Sequence, residues 1–294
     1  MNRINKLGLG TVQWGLPYGL ANQHGLTTPE TVTALLSEAR HCGIEMLDTA
    51  SLYGKSEAVL GANSLEGFKV ITKTPHFTTT HISDIEVNQL NETFQQSLNL
   101  LSRKKIYGLL IHHADDLLVP GGDRLLAAMR QLKEKRVVEK IGVSVYDGMQ
   151  VDAVLKKFKP DLIQLPLSVL DQRMLSSGHL ELLKNEGIEI HVRSVFLQGL
   201  LLMPLNNIPA FFEPIRPLLT RWHAAAHAQG LTANQAAIAF VKNLTYVDTV
   251  LVGLDNLAQF RTCFNDFAID TNFDATGLAC NDPVFVNPSL WQLK

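Results

Sequence analysis

Residues 44–54, IEMLDTASLYG, decide the fold of this chain of 294 residues. A short apolar run leads directly into Asp48, and Tyr53 follows five positions later in a turn-like segment. Two further apolar runs end in the same way, at Lys73 and at His112. Because the carboxyl ends of parallel strands converge on one face of a barrel, we expect these four side chains to meet there.

The four side chains form a set suited to proton transfer. A free tyrosine has a pKa of about 10, which is too high for an acid at neutral pH. The Lys73 ammonium would lower the pKa of Tyr53, and Asp48 would keep the lysine charged and oriented. His112 could orient a carbonyl oxygen against Tyr53. This set fits general-acid protonation of an oxygen that gains charge as hydride reaches its carbon, and since no side chain supplies hydride, a nicotinamide cofactor is implied.

The rest of the chain predicts an α/β protein with eight parallel strands. Helical patterns alternate with the strand-like runs, which favours right-handed crossovers and a closed (β/α)8 TIM barrel. We predict a single domain over residues 1–294, with a long Pro-rich loop at 198–222 and a C-terminal tail from about residue 269. The predicted strands cover residues 6–10, 45–48, 69–73, 107–112, 138–144, 162–165, 189–194 and 249–253.

The composition narrows the class of protein. The formal charge of −2 favours neither nucleic acid nor an anionic membrane as a partner. No apolar run approaches the roughly 20 residues of a membrane helix, and residues 1–10 lack a secretory signal core. The three cysteines, Cys42, Cys263 and Cys280, show no metal-ligand spacing and argue against a disulfide framework. We therefore expect a cytoplasmic protein without a metal site.

Three motifs resemble the aldo-keto reductase family, whose members are NAD(P)H-dependent enzymes on a (β/α)8 barrel. Residues 48–61, DTASLYGKSEAVLG, are similar to the family signature around its Asp and Tyr. Residues 70–73 resemble its lysine strand and residues 109–112 its histidine strand. The likeness runs from about residue 7 to residue 264. It implies that Tyr53 is the general acid, with Lys73, Asp48 and His112 as its partners.

The resemblance also implies a set of cofactor residues. Ser144 and Gln164 correspond to family residues that hold the nicotinamide carboxamide, and 194–200 resembles the loop that cradles the pyrophosphate. The chain departs from the family pattern at Val145 and Ser168, where asparagines are usual, and at Arg193, where an aromatic residue stacks on the nicotinamide. The predicted cofactor-binding residues are Gly10, Thr11, Asp48, Ser144, Gln164, Arg193, Ser194, Phe196, Gln198, Gly199, Gly253, Asp255 and Gln259.

The choice between NADP(H) and NAD(H) stays open on sequence grounds. The family places basic residues on the 2′-phosphate of NADP near the last strand, where this chain offers Asp255, Gln259 and the single cation Arg261. Asp255 would repel a phosphate and could suit a ribose hydroxyl. NADP(H) is the usual family cofactor, and the resemblance places it slightly ahead of NAD(H).

The resemblance implies a small-molecule carbonyl substrate, an aldehyde or ketone. Trp14 and Tyr18 follow the first strand and would line the substrate pocket together with Tyr53 and His112. Similarity to bacterial members linked with surface polysaccharides suggests a sugar-derived substrate. We expect a monomer or a small homo-oligomer.

Two alternatives come from other functional classes. A cofactor-binding regulator or scaffold with little turnover, as in barrels resembling the potassium-channel β subunits, is favoured by the three departures and disfavoured by the intact tetrad. A metal-dependent hydrolase barrel would use the adjacent His112 and His113. Neighbouring residues on a strand point to opposite faces, however, so the two histidines cannot easily share one ion.

Overall fold

The computed structural model describes residues 6–22 and 25–293. Its eight strands pair in parallel in chain order, and the eighth also pairs with the first, so that the sheet closes into a barrel. The predicted (β/α)8 barrel is confirmed, and each predicted strand ends within one residue of the observed bounds. The strands are β1 (Leu7–Gly10), β2 (Met46–Asp48), β3 (Lys69–Lys73), β4 (Ile106–Ile111), β5 (Val138–Ser144), β6 (Leu162–Pro166), β7 (Glu189–Arg193) and β8 (Thr249–Gly253).

Helices surround the barrel, and most connections between strands pass through one or two of them. No helix in the described ranges has the length and apolar character of a membrane span. The helices are α1 (Pro29–His41), α2 (Ser56–Gly61), α3 (Asp84–Leu100), α4 (Asp115–Leu118), α5 (Asp123–Glu134), α6 (Gly148–Lys157), α7 (Arg173–Ser176), α8 (His179–Asn185), α9 (Arg216–Ala228), α10 (Ala233–Lys242), α11 (Leu257–Ala268) and α12 (Pro283–Val286).

The Pro-rich segment differs in part from its predicted form. Three short 3₁₀ turns occupy Leu197–Leu202, Leu205–Asn207 and Ala210–Ile215, but residues 216–222 belong to the regular helix α9. Pro217 lies in the first turn of that helix, where the missing N–H has no intrahelical partner to lose. Prolines therefore mark the entry into this helix and do not prevent it.

Alternation along the strands separates the barrel interior from the helix layer. Met46, Ile71, Leu110, Leu162 and Leu251 form a separate buried cluster that fills the barrel. The residue two positions further along each of these strands faces the same interior, closer to the carboxyl end. In that upper layer stand Asp48, Lys73, His112, Gln164 and Gly253. This apolar cluster, the hydrophobic plug, therefore packs against the polar layer on the side of the amino-terminal end of the barrel.

A charged network closes the amino-terminal end of the barrel around Glu189. Its carboxylate accepts hydrogen bonds from Tyr107 at 2.7 Å, from His191 at 2.6 Å and from Lys140. Burial raises the pKa of Glu189, but the hydrogen bonds and charges of His191, Lys140 and Tyr107 outweigh it and lower the pKa to about 2. The folded barrel therefore favours the ionised carboxylate.

This network predicts a pH-dependent loss of stability. Glu189→Gln is expected to lower the free energy of unfolding at neutral pH by about 2 kcal/mol, because a charged acceptor of three hydrogen bonds is removed. The folded pKa lies below the unfolded value of about 4.3, so the contribution is complete above that pH and is lost as pH falls towards about 2. Urea unfolding of the unmodified protein and of Glu189→Gln at several pH values measures the difference in their unfolding free energies. Glu139→Gln, an exposed change on β5, is the control, and a difference in unfolding free energy that persists at low pH would contradict the prediction.

The tail beyond α11 packs onto the barrel surface. The Trp291 indole lies edge-on to Phe212, with ring centroids 4.9 Å apart, and its Nε1 donates to the Phe285 carbonyl at 3.2 Å. Phe211 contacts Phe285 with ring centroids at 5.8 Å. The tail is thereby attached to the 3₁₀ turn Ala210–Ile215.

Candidate active site

The upper ends of β2, β3 and β4 bring the four predicted residues together. Lys73 Nζ donates to both carboxylate oxygens of Asp48 at 2.8 Å and to the Thr49 carbonyl at 2.9 Å. The Tyr53 hydroxyl lies 3.4 Å from the same nitrogen. The rings of Tyr53 and His112 meet edge to face with centroids 5.8 Å apart. Asp48 and Lys73 are only 5% and 1% exposed, so their ion pair is shielded from water.

The lysine contact fixes the direction of the Tyr53 hydroxyl proton. An ammonium has only donors, so at Lys73 the phenolic oxygen acts as the acceptor. The Tyr53 hydrogen must then point elsewhere, and the open direction is the cavity that Tyr53 lines. Tyr53 is thus arranged to donate a hydrogen bond to a ligand in that cavity.

The protonation state of Tyr53 differs from the sequence-based expectation. Burial raises the pKa of the phenol, and the nearby Asp48 carboxylate raises it further, whereas Arg193 acts to lower it. The net pKa stays above its ordinary value although Lys73 Nζ lies 3.4 Å from the hydroxyl. Tyr53 therefore remains a protonated donor at physiological pH, and Lys73 orients it.

His112 is a neutral imidazole in this site. Burial lowers its pKa to about 2, and the positive charges of Lys73 and Arg193 act in the same direction. Its Nδ1 is buried without a hydrogen-bond partner, and its main-chain N–H donates to Thr74 Oγ1 at 3.2 Å. His112 can thus serve as a neutral hydrogen-bond donor without adding charge.

The loop that carries Tyr53 is held in place by close contact with the loop after β1. A Cβ on Gly15 would lie 1.8 Å from the Tyr53 carbonyl oxygen, so only glycine permits this approach. Ser56 Oγ, at the start of α2, donates to the Thr11 carbonyl at 2.9 Å. These contacts connect the Tyr53 turn to the barrel rim.

A cavity of about 870 Å³ extends from the polar layer across the carboxyl face. All the predicted cofactor-binding residues line it, and so do Tyr18, Tyr53 and His112. Lys73 lies behind Asp48 and Tyr53 and does not reach the cavity. Gln164 also turns back to the polar layer, where its Nε2 donates to Asp48 Oδ1 at 2.8 Å.

Trp14 does not line this cavity, contrary to the prediction that it belongs to the substrate pocket. The 3₁₀ turn Val12–Trp14 directs the indole into the core, where it is 2% exposed and its Nε1 donates to the Leu254 carbonyl at 3.2 Å. Ser168 is also absent from the cavity wall and accepts from the Asp171 N–H at 3.0 Å. Both side chains support neighbouring loops.

The cavity wall fits a dinucleotide. Ser194, Leu197 and Gln198 all adopt left-handed backbone conformations, with φ of 61°, 46° and 55°, and such turns can direct successive N–H groups at an anion. At Gly253 a Cβ would lie 2.2 Å from the Gln13 amide, whose buried Oε1 has no partner. The first turns of α10 and α11 line the remaining wall and add positive helix ends.

Several residues that line the cavity were not predicted from the sequence. Tyr146 stands two positions beyond β5, so the strand-end rule could have found it, and the Thr232 capping box marks the start of α10. Outside the cavity wall, His76 stacks on His113 with ring centroids 3.9 Å apart and pairs with Asp116 at 3.2 Å. No group of three or more His, Cys, Asp or Glu side chains suited to a metal ion occurs among residues 6–22 and 25–293.

Known structures share this fold. An aldo-keto reductase from Bacillus halodurans (holo form) has a TM-score of 0.74 at 20% identity, with 93% of this chain and 89% of that chain covered. The glycerol dehydrogenase of Gluconobacter oxydans has a TM-score of 0.68 at 20% identity, with 92% and 88% covered. At such identities the two structures support the fold alone.

Sequence comparison identifies the family as well as the fold. The NADH-specific methylglyoxal reductase of Escherichia coli K12 is 26% identical over 218 residues, or 67% of this chain. The match spans 65% of that enzyme, slightly less than two thirds of its length. The profile of the aldo/keto reductase family matches residues 6–276, which is most of the chain. This protein therefore belongs to the aldo/keto reductase family.

Proposed function

We propose that this protein reduces a small aldehyde or ketone to the alcohol with a nicotinamide cofactor. The observation that carries the proposal is the Tyr53 hydroxyl, whose oxygen accepts from Lys73 and whose proton is directed into the cavity beside His112. A phenol so placed is a general acid for a carbonyl oxygen. Family membership supports an oxidoreductase on nicotinamide cofactors.

Each member of the site has a distinct part in the proposed reaction. The cofactor, when bound, supplies hydride to the carbonyl carbon. Tyr53 donates its Oη proton to the carbonyl oxygen as negative charge develops there. His112 donates from Nε2 to the same oxygen, which aligns the carbonyl. Lys73 stabilises the phenolate left on Tyr53, and Asp48 holds the ammonium in place.

We propose NADH as the preferred cofactor, in contrast to the slight preference for NADP(H) from the resemblance. Arg193 is the only lysine or arginine among the described residues that line the cavity, and it stands at the Tyr53 end. At the other end, where the family holds the 2′-phosphate, Asp255 lines the wall, and Arg261 pairs with Glu38 at 3.3 Å. A carboxylate in that place suits a ribose hydroxyl and repels a phosphate. The NADH-specific relative agrees with this preference.

The cofactor preference is directly measurable by titration. Calorimetry is expected to give a Kd for NADH about tenfold or more below that for NADPH. Asp255→Asn should narrow this ratio by improving NADPH binding, and Glu45→Gln, at the opposite end of the barrel, is the charge-matched control. Tighter binding of NADPH to the unmodified protein would overturn the preference.

The reaction itself is tested with a panel of carbonyls. The panel includes methylglyoxal, the substrate in the relative's name, a sugar aldehyde and an aryl aldehyde. Oxidation of NADH with formation of the matching alcohol supports the proposal. Tight cofactor binding without turnover of any member would instead favour a regulatory or scaffold role.

A further inference from the structure

Arg193 stands at the catalytic end of the cavity in a fixed orientation. It is the last residue of β7, it lines the cavity, and its guanidinium lies over the Tyr146 ring at 4.4 Å. Its Nη2 donates to the Val145 carbonyl at 3.2 Å, and its Nη1 donates to Ser194 Oγ at 3.4 Å. The ring contact and the two hydrogen bonds hold the guanidinium in one orientation, in which its remaining N–H groups can bind a ligand.

No carboxylate of residues 6–22 and 25–293 is paired with this charge. Within the described residues, no Asp or Glu oxygen lies within 4.0 Å of the Arg193 guanidinium. Asp48 and Asp171 have other partners, since Asp48 binds Lys73 and Gln164, and Asp171 pairs with Arg173 at 2.8 Å. Two of the five guanidinium N–H groups have acceptors in the described chain, so three remain for a ligand.

The charge of Arg193 acts on the groups proposed to do the chemistry. It acts to lower the pKa values of Tyr53 and Tyr18, which burial raises, and it adds to the lowering of those of His112, His113 and Lys73. Arg193 and Tyr53 also line the same cavity, so a ligand in it can meet both side chains. A half-buried positive charge next to the reacting carbonyl favours a molecule that brings an anion with it.

We propose that Arg193 is an anion subsite, so that the preferred substrate is an aldehyde or ketone that also carries a carboxylate or phosphate. This inference rests on the proposed carbonyl reduction and adds the class of substrate to it. The planar guanidinium fork matches both anionic groups and can bind either in a bidentate manner. The carbonyl would then lie at Tyr53 and His112 while the anion is held at Arg193.

Matched substrate pairs test the subsite. Succinic semialdehyde is compared with butanal for the carboxylate, and glyceraldehyde 3-phosphate with glyceraldehyde for the phosphate. The unmodified protein is expected to show a kcat/KM about 30-fold higher for the charged member of at least one pair. In Arg193→Gln this ratio should approach one, and Arg193→Lys, which keeps the charge but loses the fork, should retain part of it.

A binding measurement separates the subsite from catalysis. Calorimetry of succinate added to the protein with NADH should detect binding that Arg193→Gln abolishes, with succinamide as the uncharged control. If Arg193 serves the cofactor instead, Arg193→Gln weakens NADH binding and leaves the substrate ratios unchanged, which overturns the inference.

The remaining outcomes are distinguishable. Reduction of both members of each pair at similar kcat/KM by the unmodified protein rejects the subsite and leaves the proposed function in place. Reduction of no carbonyl at all rejects the proposed function. Near-ultraviolet circular dichroism of each variant confirms that the barrel is folded before any ratio is compared.

Discussion

Replacement of Tyr53 by Phe is expected to lower kcat/KM for carbonyl reduction by about 1,000-fold. The change removes the hydroxyl whose oxygen accepts from Lys73, and it leaves the aromatic ring in place. Binding of NADH should stay within about twofold of the unmodified protein, because a hydroxyl is removed without a change of charge. Steady-state kinetics and calorimetry on the same preparation measure both quantities.

Tyr246→Phe is the matched control for this prediction. Tyr246 packs against the main core and does not line the cavity, so loss of its hydroxyl should leave turnover near that of the unmodified protein. Turnover by Tyr53→Phe at a comparable rate would show that another group donates the proton. Loss of NADH binding in Tyr53→Phe would show that the tyrosine acts through the cofactor.

Replacement of Lys73 by Met should damage both activity and stability. Asp48 would keep a negative charge at 5% exposure without its cationic partner, which costs about 3 kcal/mol of unfolding free energy. Without the ammonium, the phenolate of Tyr53 is not stabilised, and kcat is expected to fall by about 100-fold or more. Urea unfolding and steady-state kinetics test the two effects separately.

The double variant Asp48→Asn with Lys73→Met separates charge burial from catalysis. Removal of both charges leaves no unpaired ion in the polar layer, so most of the lost stability should return. Activity should stay as low as in the single variant, because the double variant has no ammonium in contact with the Tyr53 hydroxyl. Recovery of activity along with stability would mean that Lys73 has only a structural role.

The fold was predictable because its signals are local and repeated. Short apolar runs mark the strands, and eight such runs separated by helical patterns leave few architectures other than a closed barrel. The same alternation places Asp48, Lys73 and His112 in one upper layer, since each follows a plug residue by two positions. Tyr53 does not lie on a strand, so its position in the site also depends on the turn after β2.

Other features depended on contacts that sequence patterns do not contain. Trp14 lies in a short 3₁₀ turn, and only the packing of that turn against Leu254 directs the indole away from the cavity. The direction of the pKa shift of Tyr53 depends on burial and on Asp48, neither of which can be weighed from spacing. The uncompensated charge of Arg193 became visible only when the partners of the surrounding acids were known.

The most direct test follows the hydride. The protein is incubated with NADH deuterated at C4 of the nicotinamide, in separate runs for each face, together with an aldehyde of the panel. Hydride transfer in this cavity predicts an alcohol that carries one deuterium on the former carbonyl carbon, from one labelled face and not from the other, as read by mass spectrometry and NMR. An alcohol without deuterium from either cofactor, or no alcohol despite bound NADH, would contradict the proposed reaction.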